Sequence, residues 1–208
     1  MKQHISNPAR ARLVSLARLL EDLEHDGISV ITSAEIEKRT GWTSFTVRRD
    51  ISLLAVSCAG PAGYSVAALK DAISGALGIR SADRKCCIVG LGRMGAALIG
   101  FEGFSRSSFT IAAGFDSNVN KTEILRADFP LYSTNKMEEV IAREQIEFAI
   151  LTVPEKAAQK TADRLVKSGI KGIVNYTAAL LSVPPCVYLE NLSIIDALQK
   201  LAAVAYIH

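Results

Sequence analysis

The chain is poor in the side chains that most often carry metal or nucleophilic chemistry, with 3 histidines and 4 cysteines in 208 residues. The cysteines stand at 58, 86, 87 and 186, without a C-x-x-C pair or a histidine spaced to join them, so a metal site is not expected. They read as reduced cytosolic thiols, with Cys86 and Cys87 lining a buried strand. No apolar run approaches the roughly 20 residues that cross a bilayer, which argues against a membrane role. The opening Met1-Lys2-Gln3-His4 leads into an arginine-rich helix rather than an apolar signal core, so a cytoplasmic protein is expected. Charge of one sign is scarce as well. The formal net charge is +3, weaker than a dedicated nucleic-acid binder usually shows, so any DNA role must rest on where its cations sit.

What is present is enough apolar material for a real core. Hydrophobic residues make up 49% of the chain and charged ones 22%, a globular composition rather than a disordered one. The length suits one medium and one small domain.

Residues 8–57 read as helices. Leu13, Leu16, Ala17, Leu20 and Leu23 recur at helical spacing over 12–24, and Asp26-Gly27 ends that segment. Thr32 and Ser33 precede a short helix over 34–39, Gly41 makes a turn, and Thr43 or Ser44 caps a third helix through Phe45, Val47, Ile51 and Leu54. Helix, short helix, glycine turn and helix is the helix-turn-helix pattern. Arg48 and Arg49 fall in the third helix, where a recognition helix meets the major groove.

A loop or β-hairpin over 55–64, a linking helix over 66–77 and a polar joint over 78–84 follow. Short apolar runs then alternate with helices: strands over 86–89, 110–115, 148–153 and 172–175, helices over 96–101, 138–143 and 155–167. That alternation means a parallel α/β sheet. An apolar helix over 194–207 closes the chain and must be buried on its own domain or on a partner.

The run Gly90-Leu91-Gly92-Arg93-Met94-Gly95 follows a strand and opens a helix. Gly90 serves the tight turn, Gly92 the approach of a pyrophosphate and Gly95 the packing of helix on strand. Asp116 ends the next strand about 20 residues on, the place of a ribose 2′-OH acceptor that favours NAD over NADP. Enzymatic hydride transfer normally needs an acid–base group beside the nicotinamide. His4, His25 and His208 all lie outside the nucleotide-binding fold, leaving Lys156, Lys160 and Tyr176, so sensing the cofactor is better supported than turning it over.

Together the two halves resemble the Rex family of redox-sensing transcriptional repressors over nearly the full length. The resemblance rests on Val47-Arg48-Arg49-Asp50 with Ser52, Gly63-Tyr64-Ser65-Val66, the glycine loop, Gly103-Phe104, Phe115-Asp116 with Lys121, and Leu151-Thr152-Val153-Pro154. Ala157-Ala158-Gln159, Gly169-Ile170-Lys171-Gly172-Ile173, Val174-Asn175-Tyr176 and Glu190-Asn191 complete it. It implies a winged helix-turn-helix domain over 1–80, a Rossmann NAD(H)-binding domain over 81–192 and a C-terminal domain-swapped helix over 193–208. It also implies a homodimer that represses from its operator DNA with NAD bound and leaves with NADH. Besides the loop and Asp116, Lys121, Thr152, Val153, Pro154, Asn175, Tyr176 and Thr177 would line the dinucleotide site. Ser44, Phe45, Thr46, Arg48, Arg49 and Ser52 would face DNA. Some positions depart from the family pattern. Gly60 stands where the wing has arginine, Phe101 where a tyrosine precedes Gly-Phe, and Ser193 where an aspartate follows Glu-Asn. The last two, with Arg18 of the first helix, are the family's switch positions. A divergent relative with weakened DNA binding or redox response, and a small NAD-dependent oxidoreductase, are the alternative readings.

Overall fold

The computed structural model describes residues 5–54, 59–60, 62–78 and 84–206. Most of the expected wing loop, Cys58 and the joint over 79–83 lie outside the described residues. The chain divides into two compact units, Met1–Ala82 and Asp83–His208.

In the first unit α1 (Asn7–His25) begins earlier than its periodicity suggests, because Pro8 is tolerated in a first helical turn. One stripe, Ala9, Leu13, Leu16, Ala17, Leu20 and Leu23, is buried. After β1 (Val30–Ile31), α2 (Ser33–Thr40) starts at a reciprocal cap between Thr32 and Glu35 and ends on left-handed Gly41. Thr43 caps α3 (Ser44–Ser52), accepting from the Thr46 amide. Strands β2 (Ala59–Gly60) and β3 (Gly63–Ser65) form the expected hairpin, and β1 pairs antiparallel on the other side of β3. The linking helix α4 (Val66–Leu77) buries Val66, Leu69 and Ile73 in the same core as α1.

The second unit is a six-stranded sheet of order β6-β5-β4-β7-β8-β9, parallel throughout. Its strands are β4 (Arg84–Val89), β5 (Phe109–Asp116), β6 (Leu131–Ser133), β7 (Phe148–Leu151), β8 (Gly172–Asn175) and β9 (Tyr188–Asn191). Residues alternate between the two faces of the pleat. Cys87, Val89, Phe115 and Leu151 pack with Met137, Val140 and Ile141 of α7 (Met137–Glu144) and Ala158, Ala162 and Leu165 of α8 (Glu155–Lys167). Cys86, Ile88 and Ile150 pack on the other face with Leu98 and Ile99 of α5 (Arg93–Ile99).

Beside β1, which falls in a segment read as helical, the sequence did not lead one to expect α6 (Val119–Ile124), β6 or β9. The helix after the glycine loop starts three residues earlier than expected and stops before Phe101, because Gly100 ends it. The closing helix α9 (Ile194–Ala205) is not covered by its own domain: none of its residues is buried within the chain. Ile194, Ile195, Leu198, Leu201 and Val204 are all more than half exposed.

Candidate functional site

The strand order reverses between β4 and β7, which run in opposite connectivity from the centre of the sheet. In such sheets the crevice beyond the carboxyl ends of those two strands takes the ligand. Here it is built by the loop after β4 and the segment after β7. A methyl group on Gly95 would sit 1.9 Å from the Gly90 carbonyl oxygen, and one on Gly90 only 2.7 Å from the Thr152 carbonyl carbon. Thr152 locks this crossing, its hydroxyl donating to the Gly90 carbonyl at 2.6 Å. Gly92 is different. Nothing lies within 4 Å of where its Cβ would be, so its own chain does not demand a glycine there. The bare backbone at Gly92, followed by the first amides of α5, suits close approach by an anionic pyrophosphate. The side chains of Arg93 and Met94 beside it are exposed.

Asp116 is buried at the end of β5, and its carboxylate is already engaged. It accepts from the Leu91 amide at 2.7 Å, from the Asn118 amide at 2.8 Å and from the Lys121 ammonium at 3.2 Å. The acidic residue thus braces the glycine loop. Lys121 is the solvent-facing member, its side chain 42% exposed.

Asn175 turns inward. Its amide donates to the Ala179 carbonyl at 2.9 Å and the Asn191 side chain at 2.8 Å, while its oxygen accepts from the Thr177 amide and hydroxyl at 3.0 and 2.7 Å. It is a knot that shapes the loop after β8 and ties it to β9. Tyr176 is half-buried, its amide bonded to the Leu151 carbonyl. Val153 is partly buried and Pro154 stands at the N-cap, immediately before α8. Sequence reasoning missed Gln159, which holds the same loop by pairing with both backbone groups of Ser182. Such amide-to-backbone pairs leave no periodic signal.

In the first unit Phe45, Arg48, Arg49 and Ser52 lie on the outer surface of α3. Phe45 is 69% exposed. Arg48 donates to the Ser33 hydroxyl at 3.3 Å, and the Ser52 hydroxyl is turned back onto the Arg49 carbonyl. Thr46 faces the Thr43 cap. Ser44 is committed: its amide and its hydroxyl both donate to Glu37, whose carboxyl is held below the ordinary range by those bonds. Glu37 gave no sign of this role in the sequence.

Arg18 is exposed on α1. Phe101 lies in the second unit with its ring edge-on to Phe104 at 5.9 Å. Ser193 caps α9 through the Asp196 amide at 3.1 Å. Among the described residues no histidine, cysteine and carboxylate cluster could hold a metal, and no helix is long and apolar enough to cross a membrane.

The comparisons with known proteins follow this division. A family described as "CoA binding domain" matches residues 81–179, and one described as "Putative DNA-binding protein N-terminus" matches residues 4–52. The redox-sensing transcriptional repressor Rex of Thermus thermophilus is 36% identical over 201 residues, covering 95% of this chain and 92% of that protein. Rex of Pelotomaculum thermopropionicum is 33% identical over 190 residues, covering 91% of this chain and 89% of that protein. The chain belongs to the Rex family. Among solved structures, RSP, a Rex-family repressor, in complex with β-NAD+ and operator DNA is 31% identical and superposes with a TM-score of 0.87, covering 98% of this chain and 94% of that one. RSP in complex with β-NADH gives 0.84 at 31% identity, covering 97% and 94%. The relatives that match over nine-tenths of the chain are transcriptional repressors by name.

Proposed function

We propose that this Rex protein is a transcriptional repressor that reads the balance of NADH and NAD+, holding operator DNA with NAD+ and releasing it with NADH. The observation that carries this reading is the likeness over both units to RSP bound to β-NAD+ and operator DNA. The open space at Gly92 leaves room for a nucleotide's phosphates to approach the backbone.

A dinucleotide would lie with its pyrophosphate over Gly90, Leu91, Gly92, Arg93, Met94 and Gly95. Its adenine ribose would meet Asp116 and Lys121, and its remainder would lie along Thr152, Val153, Pro154, Tyr176 and Thr177. Asn175 keeps those last two in place. The bound nucleotide supplies the redox state as its own charge and ring shape. The protein's residues bind it, orient it and take up one of two arrangements. A preference of NADH for the DNA-incompetent arrangement of about 3 kcal/mol corresponds to roughly 150-fold in affinity, enough to empty an operator.

On the DNA side, Arg48 and Arg49 are the cations placed for phosphates or guanine edges, with Phe45 and Ser52 beside them. The uncovered apolar face of α9 fits burial on a second copy, as in a domain-swapped homodimer working in the cytoplasm. Phe101 has no polar group and Ser193 carries no charge, so neither supplies a charged contact to Arg18. The nucleotide response therefore runs through other contacts than those two.

The test is an electrophoretic mobility shift at low salt, using duplexes that the full-length protein selects from a randomised library in the presence of NAD+. Retardation with NAD+ that disappears on titrating NADH is expected. Failure to enrich or retard any duplex would contradict the proposal.

A further inference from the structure

Asp50 sits in α3 among apolar neighbours and is only 3% exposed, yet it is acidic and belongs to the helix read as entering DNA. Its carboxylate is gripped from another helix. Arg12 of α1 donates through Nε to Oδ2 at 2.6 Å and through Nη2 to Oδ1 at 3.0 Å. Two parallel bonds from a planar guanidinium fix direction as well as distance. The Arg12 guanidinium is held more firmly protonated by this partner.

The geometry has a consequence for the outer face of α3. Successive residues turn by about 100° around a helix, so Arg48 projects about 200° from Asp50, nearly opposite it. A rotation of the helix turns every side chain by the same angle, so pinning Asp50 to α1 sets the direction in which Arg48, Arg49 and Ser52 all leave the surface. Apolar packing of Val47 and Ile51 alone would tolerate small rotations of so short a helix, because it is not directional.

We propose that Arg12 and Asp50 form an indexing pair: positioning residues that set the rotation of α3 and so the operator preference of the protein. The inference rests on the reading that α3 enters DNA. It makes Asp50, a negative charge in a DNA-binding helix, a contributor to specific binding.

That sign separates it from simple electrostatics. Asp50→Asn removes a negative charge near DNA, and field effects alone would tighten binding to every duplex. The indexing pair predicts loss on the selected operator instead. The measurement is fluorescence anisotropy of the full-length protein with saturating NAD+, on the library-selected operator and on a scrambled duplex of the same length. Thermal melting is followed alongside, and the variants are Asp50→Asn and the milder Arg12→Lys. Each is expected to weaken operator binding about tenfold, to leave scrambled-duplex binding unchanged or tighter, and to leave NADH affinity unaltered. Operator affinity equal to wild type in folded Asp50→Asn would overturn the proposal. Equal losses on both duplexes with a lowered melting transition would reduce the pair to a stability role and overturn it as well. A wild-type protein that selects no duplex would overturn the functional reading, and the inference with it.

Discussion

Gly92 and Gly95 belong to one motif, yet different forces keep them bare. Gly95 is required by the chain itself, since a Cβ there meets the Gly90 carbonyl at 1.9 Å, whereas Gly92 borders open space. Gly95→Ala is therefore expected to lose about 1–3 kcal/mol of stability in the nucleotide unit as well as nucleotide binding. Gly92→Ala should cost about 1 kcal/mol or less, chiefly from a poorer helix cap. Its NADH affinity should nevertheless fall at least about tenfold. Thermal melting and NADH titration calorimetry on the pair check both statements. Cysteine reactivity offers a second residue-level test. Burial pushes the Cys86 thiol up to about 11 and that of Cys87 further up, while Cys186 is exposed. Iodoacetamide on the native protein should label Cys186 well before Cys86 or Cys87 by peptide mass spectrometry. The glycine loop was legible because its constraint is local: three glycines at fixed offsets between strand and helix. The inward turn of Asn175 was not, because its partner Asn191 stands 16 residues away. Nor was the bracing of Leu91 by Asp116, since no pattern marks an acceptor for one amide 25 residues back.

At the scale of elements, α2 and α3 depend on exposed carboxylates at their starts. Glu35 bonds back to the Thr32 amide and hydroxyl, and Glu37 to those of Ser44, and both carboxyls are lowered by these bonds. A lowered carboxyl contributes stability that is complete above its unfolded pKa and is lost as pH falls through its folded one. The helix-turn-helix unit should accordingly lose melting temperature below about pH 4. The double variant Glu35→Gln/Glu37→Gln should flatten that dependence, as followed by circular dichroism. Helices with strong apolar periodicity, such as α4 and α8, were readable from sequence to within a residue or so of their ends, and α1 starts five residues before its expected beginning at 12. The sheet-edge strands β6 and β9 were not. Leu131–Ser133 is three residues long, and Tyr188–Asn191 has no buried member, so neither carries an apolar rhythm.

At the scale of the whole molecule, α9 was readable as an apolar helix, but what covers it was not. An uncovered face of five large apolar side chains on one twelve-residue helix fits burial between two copies. Leu198→Asp/Leu201→Asp should shift the protein from dimer to monomer by sedimentation velocity and weaken operator binding, since one unit alone reads only one half-site. Phe101 and Ser193, where the family resemblance implies switch residues, both lack a charge, so the redox response must be carried by the other contacts of the nucleotide. The most direct measurement is therefore the operator dissociation constant of the full-length protein at saturating NAD+ and again at saturating NADH. A constant at least about tenfold weaker with NADH is predicted, with an equal reciprocal change in nucleotide preference on adding operator. Identical operator constants in the two states would contradict a redox-sensing role for this chain.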